Sequence, residues 1–371
     1  MSAGANAGAT PGIDGTATVR DGEALDLAAL ERWLATAHPE LASGPLTLAQ
    51  FPKGHSNLTY LLTLGAHGDT PARDVVLRRP PFGSKVRSAH DMGREHRLLS
   101  GLWPVYPKAP RPLAYCDDPA VLGAPFYLME RIVGIIPRRT LPRGIEVDHR
   151  RLSLALVDEL ARLHAVDATR PGIVELYKGP GFAARQVTGW AERWQNAKTQ
   201  DVPAVDDVIA ELVRDIPADQ GQVIVHNDFK YDNLVLDPAD PTRIIGVLDW
   251  EMATVGCPLM DLGSALAYWV EATDPQTIRM FAFGPTDAPG AITRQELADA
   301  YAERTGRAVT RPLFYFAFGL FKLAVVAQQI YKRFVEGHTN DPRFASFGHA
   351  VAALGALART ALERQRLSQL G

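Results

Sequence analysis

The sequence predicts an α+β protein with two lobes, an N-terminal antiparallel sheet lobe with one long helix and a mainly helical C-terminal lobe. At 371 residues the chain is too long for one ordinary core. Up to about Glu130, short β-rich runs end in turns and prolines, whereas apolar residues beyond it recur at helical spacing. The predicted bounds are a disordered arm at 1–22, the N-terminal lobe at 23–130 and the C-terminal lobe at 131–371.

The elements of the N-terminal lobe follow from their patterns in chain order. DLAALERWLATAHPEL has the apolar spacing of a helix, and LTLAQFPKGHSNLTYLLTL indicates two strands joined by a short polar turn. DVVLRRPP is typical of a strand that prolines end, SAHDMGREHRLLSGL again has helical spacing, and PFYLMER supplies a further strand. The result is a sheet of at least four strands with one long helix.

The C-terminal lobe is predicted from an apolar stripe in DHRRLSLALVDELARLHAVD and from similar helices in the last hundred residues. Three short strands, QVIVH, NLVLD and IIGVLDW, lie among these helices, and the turn-rich PADPTR joins the last two. The apolar run that begins at Leu313 is interrupted by Lys322. It is too short to span a membrane, so we expect a buried helix.

Charge and cysteine content exclude several classes of protein. The formal net charge is −3 and no long basic run occurs, so we expect neither nucleic acid nor membrane as a partner. Cys116 and Cys257 lie far apart, without the spacing of a disulfide framework or a zinc site. The first twenty residues lack the features of a signal peptide. We therefore predict a cytoplasmic protein of undetermined oligomeric state.

The stretch HNDFKYDN, residues 226 to 233, carries the residues that phosphoryl transfer to a hydroxyl needs. Such a reaction uses a carboxylate that orients and deprotonates the attacking oxygen, together with two oxygen ligands for Mg²⁺. Asp228 can be the carboxylate. Asn233 begins one predicted strand and Asp249 ends the next, so pairing of the strands predicts a Mg²⁺ site at one end of a hairpin. As an alternative, Asp228 and Asn233 are simply turn residues.

HNDFKYDN followed by VLDWE and CPLMDLG resembles the aminoglycoside phosphotransferase (choline kinase-like) family, which has the protein-kinase-like fold. The resemblance implies Mg²⁺ and ATP as cofactors and a small hydroxylated molecule as substrate. Lys230 then matches the phosphate-contacting lysine of serine/threonine kinases, and His226 is a structural residue in preference to a base. Asp261 secures the loop backbone or caps the following helix. Glu251 contacts a second metal ion or forms a salt bridge.

The resemblance also places nucleotide-binding residues in the N-terminal lobe. FPKGHSNLTYLL is similar to the family's nucleotide-covering hairpin, where Gly54 frees the turn and Ser56 contacts phosphate. VVLR puts Arg78, or Arg79 after a register slip, where kinases have a phosphate-pairing lysine. Glu95 would hold that cation, and Met129 and Glu130 would turn backbone groups toward adenine.

The implied activity is a small-molecule kinase, because no long activation segment separates Asp249 from Asp261. A nucleotide-binding protein without catalysis is the alternative from another class, since arginine replaces lysine. The chain most resembles the family branch fused to acyl-CoA dehydrogenases, which implies a hydroxyacyl-CoA or other anionic acyl alcohol as acceptor. An aminoglycoside or amino alcohol is the other acceptor. Lys332 and Arg333 end an apolar helix, where they form either an anion site or a solvated terminus.

Overall fold

The structure is a computed structural model that describes residues 15–41, 44–52, 57–68, 70–82, 91–339 and 341–371. The chain divides into two compact units. Unit 1 comprises Met1–Ile136, Pro171–Ile173 and Ile245–Glu251, and unit 2 comprises Pro137–Arg170, Val174–Ile244 and Met252–Gly371. The chain therefore returns twice to unit 1, and its second return carries Asp249.

Unit 1 contains a five-stranded antiparallel sheet. Its strands are β1 (Gly44–Gln50), β2 (Leu58–Gly65), β3 (Arg73–Arg79), β4 (Pro112–Cys116) and β5 (Phe126–Glu130), in the spatial order β1-β2-β3-β5-β4. The four predicted strands are confirmed. The sequence analysis missed β4, which has only five residues and whose register with β5 shifts between Pro112 and Ala114. A strand this short carries little periodic signal, even though burial alternates over its last four residues.

The helices of unit 1 are α1 (Leu27–Ala37), α2 (Met92–Leu102) and the single turn α3 (Pro119–Leu122), and an aspartate side chain caps the N-terminus of each. On α2, Leu98, Leu99 and Leu102 are buried on one stripe, and Glu95 is three residues ahead of it on the same face. Packing of this stripe against the core therefore also buries Glu95. In the described part of the predicted arm, Ala17 forms a β-bridge with Gln50.

Unit 2 is mainly helical, as predicted. Its helices are α4 (His149–His164), α5 (Phe182–Ala197), α6 (Pro203–Arg214), α7 (Pro258–Tyr268), α8 (Gln276–Arg279), α9 (Arg294–Thr305), α10 (Pro312–Val335) and α11 (Phe347–Arg364). Glycines allow α7 and α10 to pack closely. A Cβ on Gly263 would lie 2.3 Å from the Tyr315 carbonyl oxygen, and one on Gly319 would lie 2.3 Å from that of Gly263. This contact orients α7, whose residues are all buried.

Within the described residues, α10 is the one helix that is long and apolar enough to cross a membrane. However, 67% of its most apolar window is buried inside the protein, which is typical of a core helix. Gln328, a polar residue of α10, is fully buried and donates to the Ala197 carbonyl at 3.0 Å. The prediction of a buried helix is therefore confirmed.

Short strands lead into and out of the loop that carries the predicted catalytic residues. β6 (Val223–Val225) pairs antiparallel with β9 (Thr254–Gly256), a three-residue strand that the sequence analysis missed. β7 (Leu234–Leu236) runs into a turn closed by the Asp237 N–H, which donates to the Arg243 carbonyl at 2.9 Å. The turn leads into β8 (Ile244–Val247), and the boundary between the units follows Ile244.

Candidate active site

The loop after β6 adopts a backbone conformation that unit 2 holds from three sides. Asn227 has φ 64°, in the left-handed region that asparagine tolerates better than most residues. Its N–H and that of His226 each donate to the Asp261 carboxylate at 2.7 Å. Its side chain donates to the Met252 carbonyl at 3.0 Å, and its carbonyl accepts from Lys322 at 2.6 Å. Together these contacts set the direction in which the next residue, Asp228, points.

Asp261 is fully buried and secures the loop backbone, one of its two predicted roles. It lies in the first turn of α7 while Cys257 is the N-cap residue, so the capping alternative is wrong. His164 Nε2 contacts the carboxylate at 3.1 Å, and His164 Nδ1 contacts the Tyr301 hydroxyl at 2.6 Å. Burial would raise the pKa of Asp261, but the hydrogen bond from His164 and the other donors outweigh it and lower the pKa.

The Asp228 carboxylate accepts hydrogen bonds from three side chains of unit 2. Lys230 Nζ lies 2.9 and 2.8 Å from its two oxygens, and Asn233 Nδ2 lies 2.8 Å from Oδ2. The Tyr268 hydroxyl donates to Oδ1. Burial would raise the pKa of Asp228, but the Lys230 charge and these hydrogen bonds lower it below its ordinary value. The side chain is therefore an ionised carboxylate at neutral pH.

The amide of Asn233 is oriented by the same loop. Its nitrogen donates to both the backbone carbonyl and the carboxylate of Asp228, at 2.9 and 2.8 Å. The amide oxygen, which is the atom that would bind Mg²⁺, therefore points away from Asp228. In the described part of the chain, no cluster of three or more His, Cys, Asp or Glu residues could hold a metal ion. Mg²⁺ usually takes only one or two protein ligands beside water and phosphate oxygens, so Asn233 suits that role.

In unit 1, Arg78 is the centre of a cluster of carboxylates. Its guanidinium lies 2.6 Å from Glu95, 3.4 Å from Asp249 and 3.3 Å from Glu251, with only 8% of its side chain exposed. Burial would lower the pKa of Arg78, but Glu95 and the other anions raise it well above its ordinary value. The predicted pairing of Arg78 with Glu95 is present, and the register slip to Arg79 is not.

Asp249 and Glu251 follow β8 and lie on the Arg78 side of unit 1. Asp249 has φ 66°, so both predicted catalytic segments contain a left-handed residue other than glycine. Its side chain is 39% exposed, which leaves one of its faces accessible. Glu251 accepts from Asn57 Nδ2 at 2.8 Å in addition to its ion pair with Arg78. Of the two predicted roles of Glu251, the structure shows the salt bridge.

The remaining nucleotide contacts stay predictions. Gly54 and Ser56 lie outside the described residues. Met129 pairs with Val76 in the sheet, and the Glu130 N–H donates to the Arg111 carbonyl at 2.8 Å. The backbone donor of Glu130 is thus already used within the protein.

Sequence reasoning missed four residues that hold the loop, namely His164, Asn227, Tyr268 and Lys322. His164 and Lys322 were detectable, because each is a polar residue within an otherwise apolar helical stripe. Such a residue signals a buried partner. Their partners lie about a hundred residues away in the chain, so sequence spacing could not identify them.

Comparisons with known proteins agree with this architecture. A solved structure from Ralstonia eutropha, provisionally described as an aminoglycoside phosphotransferase, superimposes with a TM-score of 0.75 and 28% sequence identity. The match covers 92% of this chain and 99% of that one. Choline kinase from Cryptosporidium parvum superimposes with a TM-score of 0.60 at 14% identity, over 93% of this chain and 98% of its own. The fold is therefore kinase-like, as predicted.

The model of the phosphotransferase enzyme family matches residues 47–300. Rattus norvegicus acyl-CoA dehydrogenase family member 11 is 34% identical over 328 residues, which cover 85% of this chain. The chain spans only 41% of the length of that relative. This protein belongs to the phosphotransferase enzyme family, and the predicted resemblance is confirmed.

Proposed function

We propose that this protein is a Mg²⁺-dependent kinase that transfers the γ-phosphate of ATP to a hydroxyl of a small molecule. The observation that carries the proposal is the Asp228 carboxylate, which is ionised, only 13% exposed and positioned by a loop whose backbone Asp261 holds. An ionised carboxylate at that place can orient an acceptor hydroxyl and take up its proton as the new P–O bond forms. The ammonium group of Lys230 lies beside Asp228 and offsets the negative charge of the carboxylate.

The chemistry of the predicted site residues suits the binding of a nucleotide together with Mg²⁺. Asp249 offers a partly exposed carboxylate and Asn233 a neutral amide oxygen, the hard ligands that Mg²⁺ prefers. Bound Mg²⁺ would neutralise charge on the phosphates. Arg78 remains a cation and presents a planar fork that can bind two phosphate oxygens. Glu95 would hold Arg78 in place during this contact.

We further propose an anionic or acyl-type alcohol, such as a hydroxyacyl-CoA, as the acceptor. A small pocket beside Lys230 is lined by Phe229, Tyr268, Phe283 and other mostly apolar residues, with no carboxylate among them. Nearby, Asp287 is paired with Arg139 at 2.8 Å and with Arg279 at 3.4 Å. A polycationic acceptor would need uncompensated carboxylates here. The name of the rat relative, which refers to acyl-CoA, supports the same choice.

The C-terminal end of α10, with Lys332 and Arg333, does not contribute to this proposal. Lys332 donates to the Asn196 carbonyl at 2.8 Å and lies 3.6 Å from Glu336. These contacts occupy the Lys332 ammonium within the protein. They favour a solvated helix terminus over an anion site.

The test is an acceptor screen with ATP consumption as the readout. It compares hydroxyacyl-CoAs of several chain lengths with choline and kanamycin-like compounds, and uses Asp228→Asn as the blank. We expect saturable, Mg²⁺-dependent turnover with an acyl acceptor. Efficient phosphorylation of kanamycin without CoA-ester activity would refute the acceptor proposal but leave the kinase proposal standing.

A nucleotide-binding protein without catalysis is the competing function, because Arg78 stands in the place of the usual lysine. ATP binding without consumption, with every acceptor in the screen, would favour it. Against it, Asp228, Asn233 and Asp249 are all present, and Asp261 and Lys322 hydrogen-bond the loop backbone that positions Asp228.

A further inference from the structure

The Asp228 carboxylate has a full set of hydrogen-bond donors from within unit 2. Lys230 donates to both oxygens, Asn233 donates to Oδ2 and the Tyr268 hydroxyl donates to Oδ1. A carboxylate has about four lone-pair sites. An acceptor hydroxyl that is to donate its proton to Asp228 must therefore displace one of these donors.

Tyr268 is the donor that an alcohol can replace. Asn233 is held by a second hydrogen bond to the Asp228 backbone carbonyl, at 2.9 Å. Lys230 contributes a positive charge that a neutral alcohol does not supply. Tyr268 instead contributes a neutral O–H, the same chemical group as the acceptor, so the exchange conserves both charge and the number of hydrogen bonds.

The ring of Tyr268 is buried, but it packs against a residue that is partly exposed. Tyr268 is the last residue of α7, and its ring packs edge-on against Phe283 with centroids 5.2 Å apart. Phe283 is 37% exposed, so this wall of the pocket faces solvent. Lys230 Nζ lies 4.7 Å from the centroid of the Tyr268 ring, a contact that does not depend on the hydroxyl.

We propose that the Tyr268 hydroxyl occupies the position on Asp228 that the acceptor hydroxyl takes during turnover, and that it thereby suppresses acceptor-independent hydrolysis of ATP. The inference rests on the proposed kinase function. In the suppressed reaction, a water oxygen would bond to the γ-phosphorus and the bond to the bridging oxygen of ADP would break. The water proton would pass to Asp228 and then to solvent, leaving ADP and inorganic phosphate.

The decisive variant is Tyr268→Phe, which removes the hydroxyl and keeps the ring. With MgATP and no acceptor, we expect ADP release to rise about threefold to tenfold, the range that the loss of one hydrogen bond allows. The KM for the acceptor should fall by a similar factor, because nothing remains to be displaced. Tyr331→Phe, a partly buried tyrosine on α10, is the matched control.

A purely structural role for Tyr268 would instead raise the KM or lower the melting temperature, without increasing hydrolysis. Unchanged hydrolysis in Tyr268→Phe, in a protein whose wild type phosphorylates an acceptor, would overturn this inference alone. Failure of wild type to bind MgATP in calorimetry would overturn the kinase proposal together with it. Should Tyr268→Phe not fold, Phe283→Ala removes the ring that packs against Tyr268, and the absence of increased hydrolysis there overturns the inference equally.

Discussion

Lys322 offers a direct test of how the catalytic loop is held. Its ammonium lies in the interior of unit 2, donates to the Asn227 carbonyl at 2.6 Å and lies 5.7 Å from the centroid of the Trp190 ring. Burial lowers the pKa of Lys322 from 10.5 to about 8, with Asp228 and Asp261 opposing the change and Lys230 adding to it. Keeping this charge in the interior thus costs roughly 3 kcal/mol at neutral pH.

The sign of the pH dependence follows from proton binding. Between about pH 8 and pH 10.5, the unfolded chain binds a proton at Lys322 that the folded protein has lost. The free energy of unfolding therefore rises with pH in this window. From pH 7 to about pH 9.5, the contribution of Lys322 should rise by roughly 2 kcal/mol.

The assay compares denaturant unfolding of wild type and Lys322→Met at several pH values between about 7 and 9.5. The variant lacks the titrating group, so the stability difference between the two proteins should move by roughly 2 kcal/mol in favour of wild type as the pH rises. Lys332→Met, at the partly exposed end of the same helix, is the matched control. A difference between wild type and Lys322→Met that stays constant across the window would refute the argument.

Four further substitutions test the other parts of the site. Asp228→Asn should lower kcat by a factor on the order of 10² or more with MgATP binding nearly intact, and wild-type turnover would refute its role. Asp249→Ala should abolish Mg²⁺-dependent nucleotide binding in calorimetry, so equal affinity in both proteins would count against it. Arg78→Lys should raise the KM for ATP about tenfold, because an ammonium cannot reproduce the planar fork, whereas an unchanged KM would shift the role to Lys230. Asp261→Ala should destabilise unit 2 by roughly 3 kcal/mol in urea unfolding, since it leaves buried N–H groups unpaired; a loss below about 1 kcal/mol would show that water replaces the carboxylate.

Much of this architecture is readable from the sequence, since the signals are local. Helices such as α4 bury one stripe, and a strand such as β2 alternates buried and partly buried residues, so each leaves its own period in the chain. The catalytic residues are equally local, because Asp228, Lys230 and Asn233 lie within six positions of one loop. The chemistry required of a phosphotransferase identifies them by type and spacing.

The contacts that hold those residues in place are not local, and only the folded chain reveals them. Asn227 takes its left-handed conformation from Asp261 and Lys322, which lie 34 and 95 positions further along the chain. The Arg78 cluster joins β3, α2 and the segment after β8, which returns to unit 1 far from either in sequence. A single polar residue in an apolar helix indicates such a position, but it does not identify the partner, because helix packing determines which residue lies opposite. The residue types therefore predict the reaction, whereas the orientation of Asp228 and the donors on its carboxylate depend on how distant helices pack.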